Sequence, residues 1–326
     1  MEYPPDKGGV GRYLEAIVKE VADVEVVRPQ FFKFFWPRWF KALSVPFALH
    51  PKQLWISHLL PLGYVALLYK AITGTPYTIF VHGTDIQFAN KNSWKRFWAK
   101  LILNNAEQII ANSKYTLSLI NKSEIRNPKS EIIYPCPTLN QSSGLLTKKP
   151  FTILSVGRLV ARKGYDKGIE AVMQLKKEFS NLTYTIIGNG PEQGKLEDLV
   201  IKNNADSYIK IITNADDQKI KDYYAKSELL LAPGQEIDGD VEGFGLVILE
   251  AAQFAIPALA TNIGGVGEAI VDGQTGILMP DNNVETIIAA ISKLLNDRTL
   301  LEKFGKNAQS RVKQEFKMAN QVKKIL

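Results

Sequence analysis

Glu242 and Glu250 stand eight positions apart, with Gly243, Phe244 and Gly245 directly after the first. Apolar Leu246, Val247, Ile248 and Leu249 then lead into the second. Eight positions is a little over two helical turns, so one carboxylate lies just ahead of a buried helix and the other within it. The first turn of a helix offers unpaired N–H groups and the positive end of a dipole, which favour a phosphate. Glycines at 243 and 245 let a ligand approach the backbone closely. A helix start that holds a diphosphate, with an acid on either side to accept from hydroxyls, suits a nucleotide sugar. A plainer reading stands beside it, since a Gly-rich loop before an apolar helix and a solvated Glu occur in many α/β proteins.

Other residues could join that chemistry. Arg158 and Lys163 sit five apart in GRLVARKGYDKGIEA, a loop between a strand at 151–156 and a helix starting near Asp166. Two cations aimed at one cleft suit a diphosphate, which develops charge as it leaves; in isolation such a pair reads as surface charge. Gly188 and Gly190, in GNGP, end a strand at 184–188 and open the next helix. Gly8, Gly9 and Gly11 open a helix whose apolar face carries Val10, Leu14, Ile17, Val18 and Val21. His82, in HGTD with Asp85, follows a strand at 76–81, at the carboxyl end where parallel sheets bind ligands. A lone loop histidine is otherwise structural. Ser113 stands where it would cap a helix at 114–121.

The stretch 238–276 resembles the E-x7-E signature of retaining GT-B glycosyltransferases of family 4, in the form EGFG…LEA…P…GG…E…G.TG. The GGVG, HGTD, NS, GRLVARKG and GNGP segments extend the resemblance over nearly the whole chain. It implies a GT-B α/β fold, with two Rossmann-like doubly wound domains facing a central cleft. It also implies transfer of a hexose from a nucleotide sugar to an acceptor hydroxyl, with retention of configuration. The matching Arg158 and Lys163 would hold the leaving diphosphate, Glu242 would accept from sugar hydroxyls, and Glu250 from the ribose. Gly243, Phe244, Gly245 and Leu246 would supply backbone contacts. Gly8, Gly9 and Gly11 would lie beside the diphosphate, Gly188 and Gly190 around the base, and His82 near the donor sugar. No metal or other cofactor is expected. GDVEGFGLVILEAA is most similar to mannosyltransferases acting on lipid-linked acceptors, which makes GDP-mannose the first donor expected and a UDP-sugar the next. Ala255 departs from the family pattern, standing where many relatives have glycine, and reads as a mild packing change.

These residues need two domains to position them, and 326 residues suffice. Strands at 53–57, 76–81 and 108–111, with helices at 61–73 and 93–104 between, argue for parallel βαβ units. A further strand is predicted at 24–28. The second half repeats the alternation with strands at 151–156, 184–188, 208–212 and 229–232, then helices at 284–295 and 300–326. The expected boundaries are an acceptor-binding domain at 1–138, a polar linker at 139–150 and a nucleotide-sugar domain at 151–310. A final segment at 311–326 would pack back on the first domain. Only residues 1–5 precede the first glycines, too few for the central strand such a loop normally follows, so the sequence predicts a missing first strand or a start further upstream.

Composition narrows the partners. Apolar residues make up 45% and charged residues 22%, values of a soluble globular chain. Residues 1–150 carry 19 Lys/Arg against 10 Asp/Glu, and residues 151–326 carry 21 against 23, so the net charge of +7 sits in the first half. That asymmetry predicts an anionic partner there. Two runs interleave aromatics with cations, 28–41 (RPQFFKFFWPRWFK) and 91–100 (KNSWKRFWAK). They suit peripheral contact with an anionic leaflet on the inner face of the cytoplasmic membrane, or else a partly buried loop and helix. No nucleic-acid motif accompanies them. A single cysteine, Cys136, excludes an internal disulfide and suits a reducing cytoplasm. With three histidines beside it, a zinc site is not expected. Two other readings remain at this point, a nucleotide-sugar epimerase and a GT-B module that binds donor or a partner without turnover.

Overall fold

The computed structural model describes residues 8–27, 40–121, 129–139 and 148–325. They form two compact units, one from residues up to Cys136 together with those from Met318 onward, the other from Pro137–Lys317.

The first unit holds strands β1 Leu54–Ile56, β2 Tyr77–Val81, β3 Gln108–Ala111 and β4 Ser130–Ile132. All neighbouring pairs are parallel, in the order β1-β2-β3-β4. Every residue of β2 is buried, as a parallel strand covered on both faces requires. Ile56, Ile79, Val81, Ile102 and Ile109 form its core. Helix Gly9–Glu20 turns Tyr13, Leu14 and Ile17 inward, and the Tyr13 hydroxyl donates to the Ile133 carbonyl at 2.8 Å. Helix Met318–Val322 packs on that helix, and Gln321 Oε1 accepts from the Tyr134 amide at 3.3 Å.

One predicted strand of this unit does not form. Residues 24–27 make no ladder, and Val26 and Val27 are 40% exposed. A strand partner must lie about 5 Å away, whereas Val24, Glu25 and Val27 line a hollow of about 830 Å³ that also borders Leu54 and Trp55 of β1. A valine-rich segment without a neighbour at ladder distance stays irregular. Of the run 28–41, residues 28–39 lie outside the described residues, as does 140–147 of the expected linker.

The second unit holds β5 Thr152–Val156, β6 Thr183–Ile187, β7 Ile209–Ile212, β8 Leu229–Ala232, β9 Ala258–Thr261 and β10 Gly276–Met279. Their order is β10-β9-β8-β5-β6-β7, parallel throughout. The chain therefore starts in the middle at β5, runs outward to β7, and returns to the other side of β5 at β8. That reversal makes a topological switch between β5 and β8. Helices Tyr165–Leu175 and Val284–Asn296 bury Ile169, Val172, Ile287 and Ile291 against the sheet. Glu228, 4% exposed, accepts from the Phe151 amide at 2.7 Å and pairs twice with Arg298. This ties helix Arg298–Glu315 to the root of β5. Arg311 on that helix donates to the carbonyls of Ala269 and Glu268 at 2.8 and 2.9 Å, and the chain passes to the first unit between Lys317 and Met318.

Candidate functional site

In open parallel sheets the crevice outside the carboxyl ends of the strands at a switch point receives ligands. Here the segments leaving β5 and β8 bring Arg158, Arg162 and Lys163 from one side and Glu242 from the other. A pocket at this place is lined by Val156, Arg162, Lys163, Gly234, Glu242 and Thr261. Lys163 Nζ donates to Glu242 Oε2 at 2.5 Å, and Arg162 Nη1 donates to the same oxygen at 2.8 Å. Arg162 Nε lies 3.3 Å from Asp240 Oδ2. Burial alone would raise the Glu242 pKa, but Lys163 and Arg162 overcome it and hold it at about 2. The carboxylate is ionised at neutral pH beside two cations that are themselves mostly covered.

Backbone geometry explains how these side chains meet. After β5 the chain makes a 3-10 turn at Ala161–Lys163, closed by Gly164 at φ +61. A Cβ there would lie 2.0 Å from the Pro233 carbonyl oxygen, so glycine is required for the β5 and β8 loops to touch. Glu242 is held from behind. Its carbonyl accepts from the Gly265 amide at 3.0 Å, and a Cβ on Gly264 (φ +55) would stand 2.2 Å from the same oxygen. Gly245, at φ 90 and ψ 54, then caps helix Leu246–Gln253.

The remaining expected residues are placed as follows. Glu250 is on that helix and 3% exposed, and its Oε2 accepts from the Tyr224 hydroxyl at 3.3 Å. Phe244 is 2% exposed, and its ring lies 6.0 Å from that of Phe316, so it packs inside the second unit. Gly243 and Leu246 flank it, half-buried. Arg158 is exposed at the carboxyl end of β5 and is not among the partners of Glu242. Gly188 and Gly190 have a demand of their own, because a Cβ would come within 1.8 Å of the Gly157 carbonyl oxygen and 2.2 Å of that of Leu159. They let the β5 and β6 loops cross.

His82, Gly8, Gly9 and Gly11 belong to the first unit. His82 follows β2, and its Nε2 lies 2.9 Å from the Ser57 carbonyl, which can only accept. The ring proton is therefore on Nε2, and Nδ1 is a buried acceptor without a hydrogen-bond partner among the described residues. Burial lowers the His82 pKa to about 4, so the ring is neutral at pH 7. Asp85 Oδ1 accepts from the His82 and Ile86 amides at 3.0 and 3.1 Å. Gly8 precedes helix Gly9–Glu20 in extended backbone, Gly11 is buried in it, and the space beside Gly9 is open. Ser113 Oγ accepts from the Thr116 amide at 3.0 Å and so caps helix Lys114–Asn121.

Two site features were not read from the sequence. The sequence points to Arg158 through its motif, whereas Arg162 is signalled only by standing next to Lys163. Thr261 Oγ1 is buried in the pocket lining without a hydrogen-bond partner among the described residues, and nothing in ALAT marks it.

Residues 138–311 match the model of the family described as Glycosyl transferases group 1, and residues 5–139 match that of Glycosyltransferase Family 4. The chain belongs to the glycosyl transferases group 1 family. It is 28% identical over 250 residues to an uncharacterized glycosyltransferase of Methanocaldococcus jannaschii, covering 76% of this chain and 67% of the relative. A GDP-mannose-dependent alpha-(1-6)-phosphatidylinositol monomannoside mannosyltransferase of Mycolicibacterium smegmatis is 23% identical over 342 residues, 91% of this chain and 88% of the relative. The glycogen synthase of Mycobacterium tuberculosis matches at 30% over 167 residues, 51% of this chain but only 39% of the relative. Several other curated relatives are likewise matched over less than half of their length. Among solved structures, sucrose-phosphate synthase from Thermosynechococcus elongatus aligns with TM-score 0.79 at 19% identity, over 100% of this chain and 93% of that one. Anabaena HepE, in complex with UDP and glucose, aligns with TM-score 0.73 at 21% identity, over 87% and 79%. The fold of this glycosyltransferase-family chain is GT-B, α/β with two parallel sheets.

Proposed function

We propose that this chain transfers a hexose from a nucleotide sugar to a hydroxyl of a glycan or lipid-linked acceptor, with retention of configuration, in surface polysaccharide or glycolipid synthesis. The observation that carries the reading is the cluster Arg162–Lys163–Glu242 at the switch point of the second sheet. In this reading Lys163 and Arg158 stabilise the departing diphosphate, and Arg162 joins them. A fixed positive pair in a half-covered crevice acts on developing charge without reorganising. Both cations bond Glu242 through Oε2, and Oε1 is the oxygen assigned to sugar hydroxyls. Glu250 accepts from the ribose, and the helix start after Gly245 faces phosphate. These cations take the part that a metal ion plays in other transferases, so turnover is expected to survive a chelator.

GDP-mannose is the first donor proposed and a UDP-sugar the second. The mycobacterial mannosyltransferase, matched over most of both chains, supports the first; HepE, solved with UDP and glucose, keeps the second in view. Thermal melting against GDP, UDP, ADP and GDP-mannose tests the site. One nucleotide should raise the melting temperature, and Glu250→Ala should abolish the rise. No shift with any of them would sink the donor-site reading. Slow release of nucleotide from the stabilising donor then separates a working transferase from a binding module.

A further inference from the structure

Three large rings stand in solvent on one face of the first unit. Phe88, at the end of helix Thr84–Asn90, is 52% exposed; Trp94 and Phe97, on helix Ser93–Asn105, are 66% and 58% exposed. Clustered exposed aromatics on a folded domain mark a docking surface. These are also rigidly mounted. Trp94 and Phe97 stack with centroids 6.5 Å apart, and both abut the half-buried Trp98 at 5.7 Å, which in turn meets Tyr64 at 5.5 Å. Asn92 fixes the turn between the helices by accepting from the amides of Trp94 and Lys95.

Cations are interleaved with these rings. Lys91, Lys95, Arg96 and Lys100 all lie on this stretch, and no Asp or Glu occurs between Asp85 and Glu107. Lys95 Nζ sits 3.5 Å from the Phe88 ring centroid, and Arg96 donates to the Asn90 carbonyl at 2.7 Å. Protein–protein interfaces deplete lysine from their apolar centres. A second copy docked through the same face would set four cations against four. Rings that enter an apolar layer while long cations reach back to an acidic one match a lipid headgroup region. Among the described residues no helix is long and apolar enough to cross a membrane, so contact of this kind would be made from the surface.

We infer that Phe88, Trp94 and Phe97, ringed by Lys91, Lys95, Arg96 and Lys100, dock this chain on an anionic lipid bilayer. The inference does not depend on the donor chemistry, because the surface lies in the first unit and binding is read without turnover. The experiment is co-sedimentation of the full chain with phosphatidylcholine vesicles, with and without phosphatidylglycerol, at low and high salt. The chain should sediment with the anionic vesicles and release as salt rises. Trp94→Ser/Phe97→Ser should weaken binding roughly tenfold or more with melting temperature and nucleotide stabilisation unchanged. Replacing the four cations by Gln should erase the preference for phosphatidylglycerol. Binding by Trp94→Ser/Phe97→Ser equal to that of the parent chain would overturn the assignment. So would failure of the parent chain to bind at low salt, or a dimer in gel filtration that the double variant dissolves.

Discussion

At the scale of single residues, Glu242 decides how the candidate site is poised. Its folded pKa of about 2 lies below the ordinary 4.5. A depressed carboxylate contributes stability that is present in full above the ordinary value and is lost as pH falls through the folded one. Glu242→Gln removes that contribution and leaves Arg162 and Lys163 facing each other without their shared anion. The variant should be less stable than the parent at pH 7 by about 1–3 kcal/mol, the lower figure allowing for partial solvent screening. The gap should close between pH 4.5 and pH 2. Denaturant midpoints of both proteins across that range check it, and the difference is the relevant quantity because other carboxylates titrate in both. A gap independent of pH would mean that the cations do not hold this carboxylate. Turnover of Lys163→Ala should fall by about two to three orders of magnitude if one preorganised charge is lost.

At the scale of elements, helix Leu246–Gln253 shows what the sequence revealed and what it hid. Its position was legible from the apolar run between two carboxylates and from the glycines ahead of it. Its end was not. The Ala255 amide donates to the Ala252 carbonyl at 3.0 Å, and the Ile256 amide to that of Ala251 at 3.2 Å. This is the paired closure of a Schellman motif, which places its C′ residue in the left-handed region, and Ala255 sits there at φ 54. The departure from the family glycine is therefore conformational rather than the mild packing change expected from sequence. Left-handed backbone costs a residue with a Cβ about 1–2 kcal/mol, while glycine loses about 0.4–1 kcal/mol through its freer unfolded chain. Ala255→Gly should thus stabilise the protein by about 0.5–1 kcal/mol, read as a higher denaturant midpoint at unchanged slope. A lower midpoint would show that the Cβ makes contacts worth more than the strain. The same contrast runs through the sheets. β2 and β8 are readable because they are runs of large apolar residues, whereas β9 is half alanine in ALAT and β10 opens on Gly276, so neither stands out from the loops beside it. Residues 24–27 read as a strand for the converse reason, since valines alone cannot report whether a partner strand is in reach. The pairing of Arg162 with Glu242 needs the 3-10 turn, which closes at Gly164 where a Cβ would meet the Pro233 carbonyl, and the spacing of the charges does not show that turn.

At the scale of the whole molecule, two cores and two charge balances imply that a ligand should act unequally. The switch-point crevice lies within the second unit, which has a core of its own. A nucleotide that binds only the folded form stabilises by about 2.7 kcal/mol at a hundredfold excess over its Kd. If that unit opens as its own cooperative body, its slowest amides, in β5 and β8, should exchange roughly a hundredfold more slowly. Amides of β2 and β3, which exchange through opening of the first unit, should change little. Hydrogen exchange with and without the stabilising nucleotide reads both sets in one sample. Equal slowing in β2, β3, β5 and β8 would show that the two units open as one, and the ligand's effect could then not be assigned to the crevice between β5 and β8.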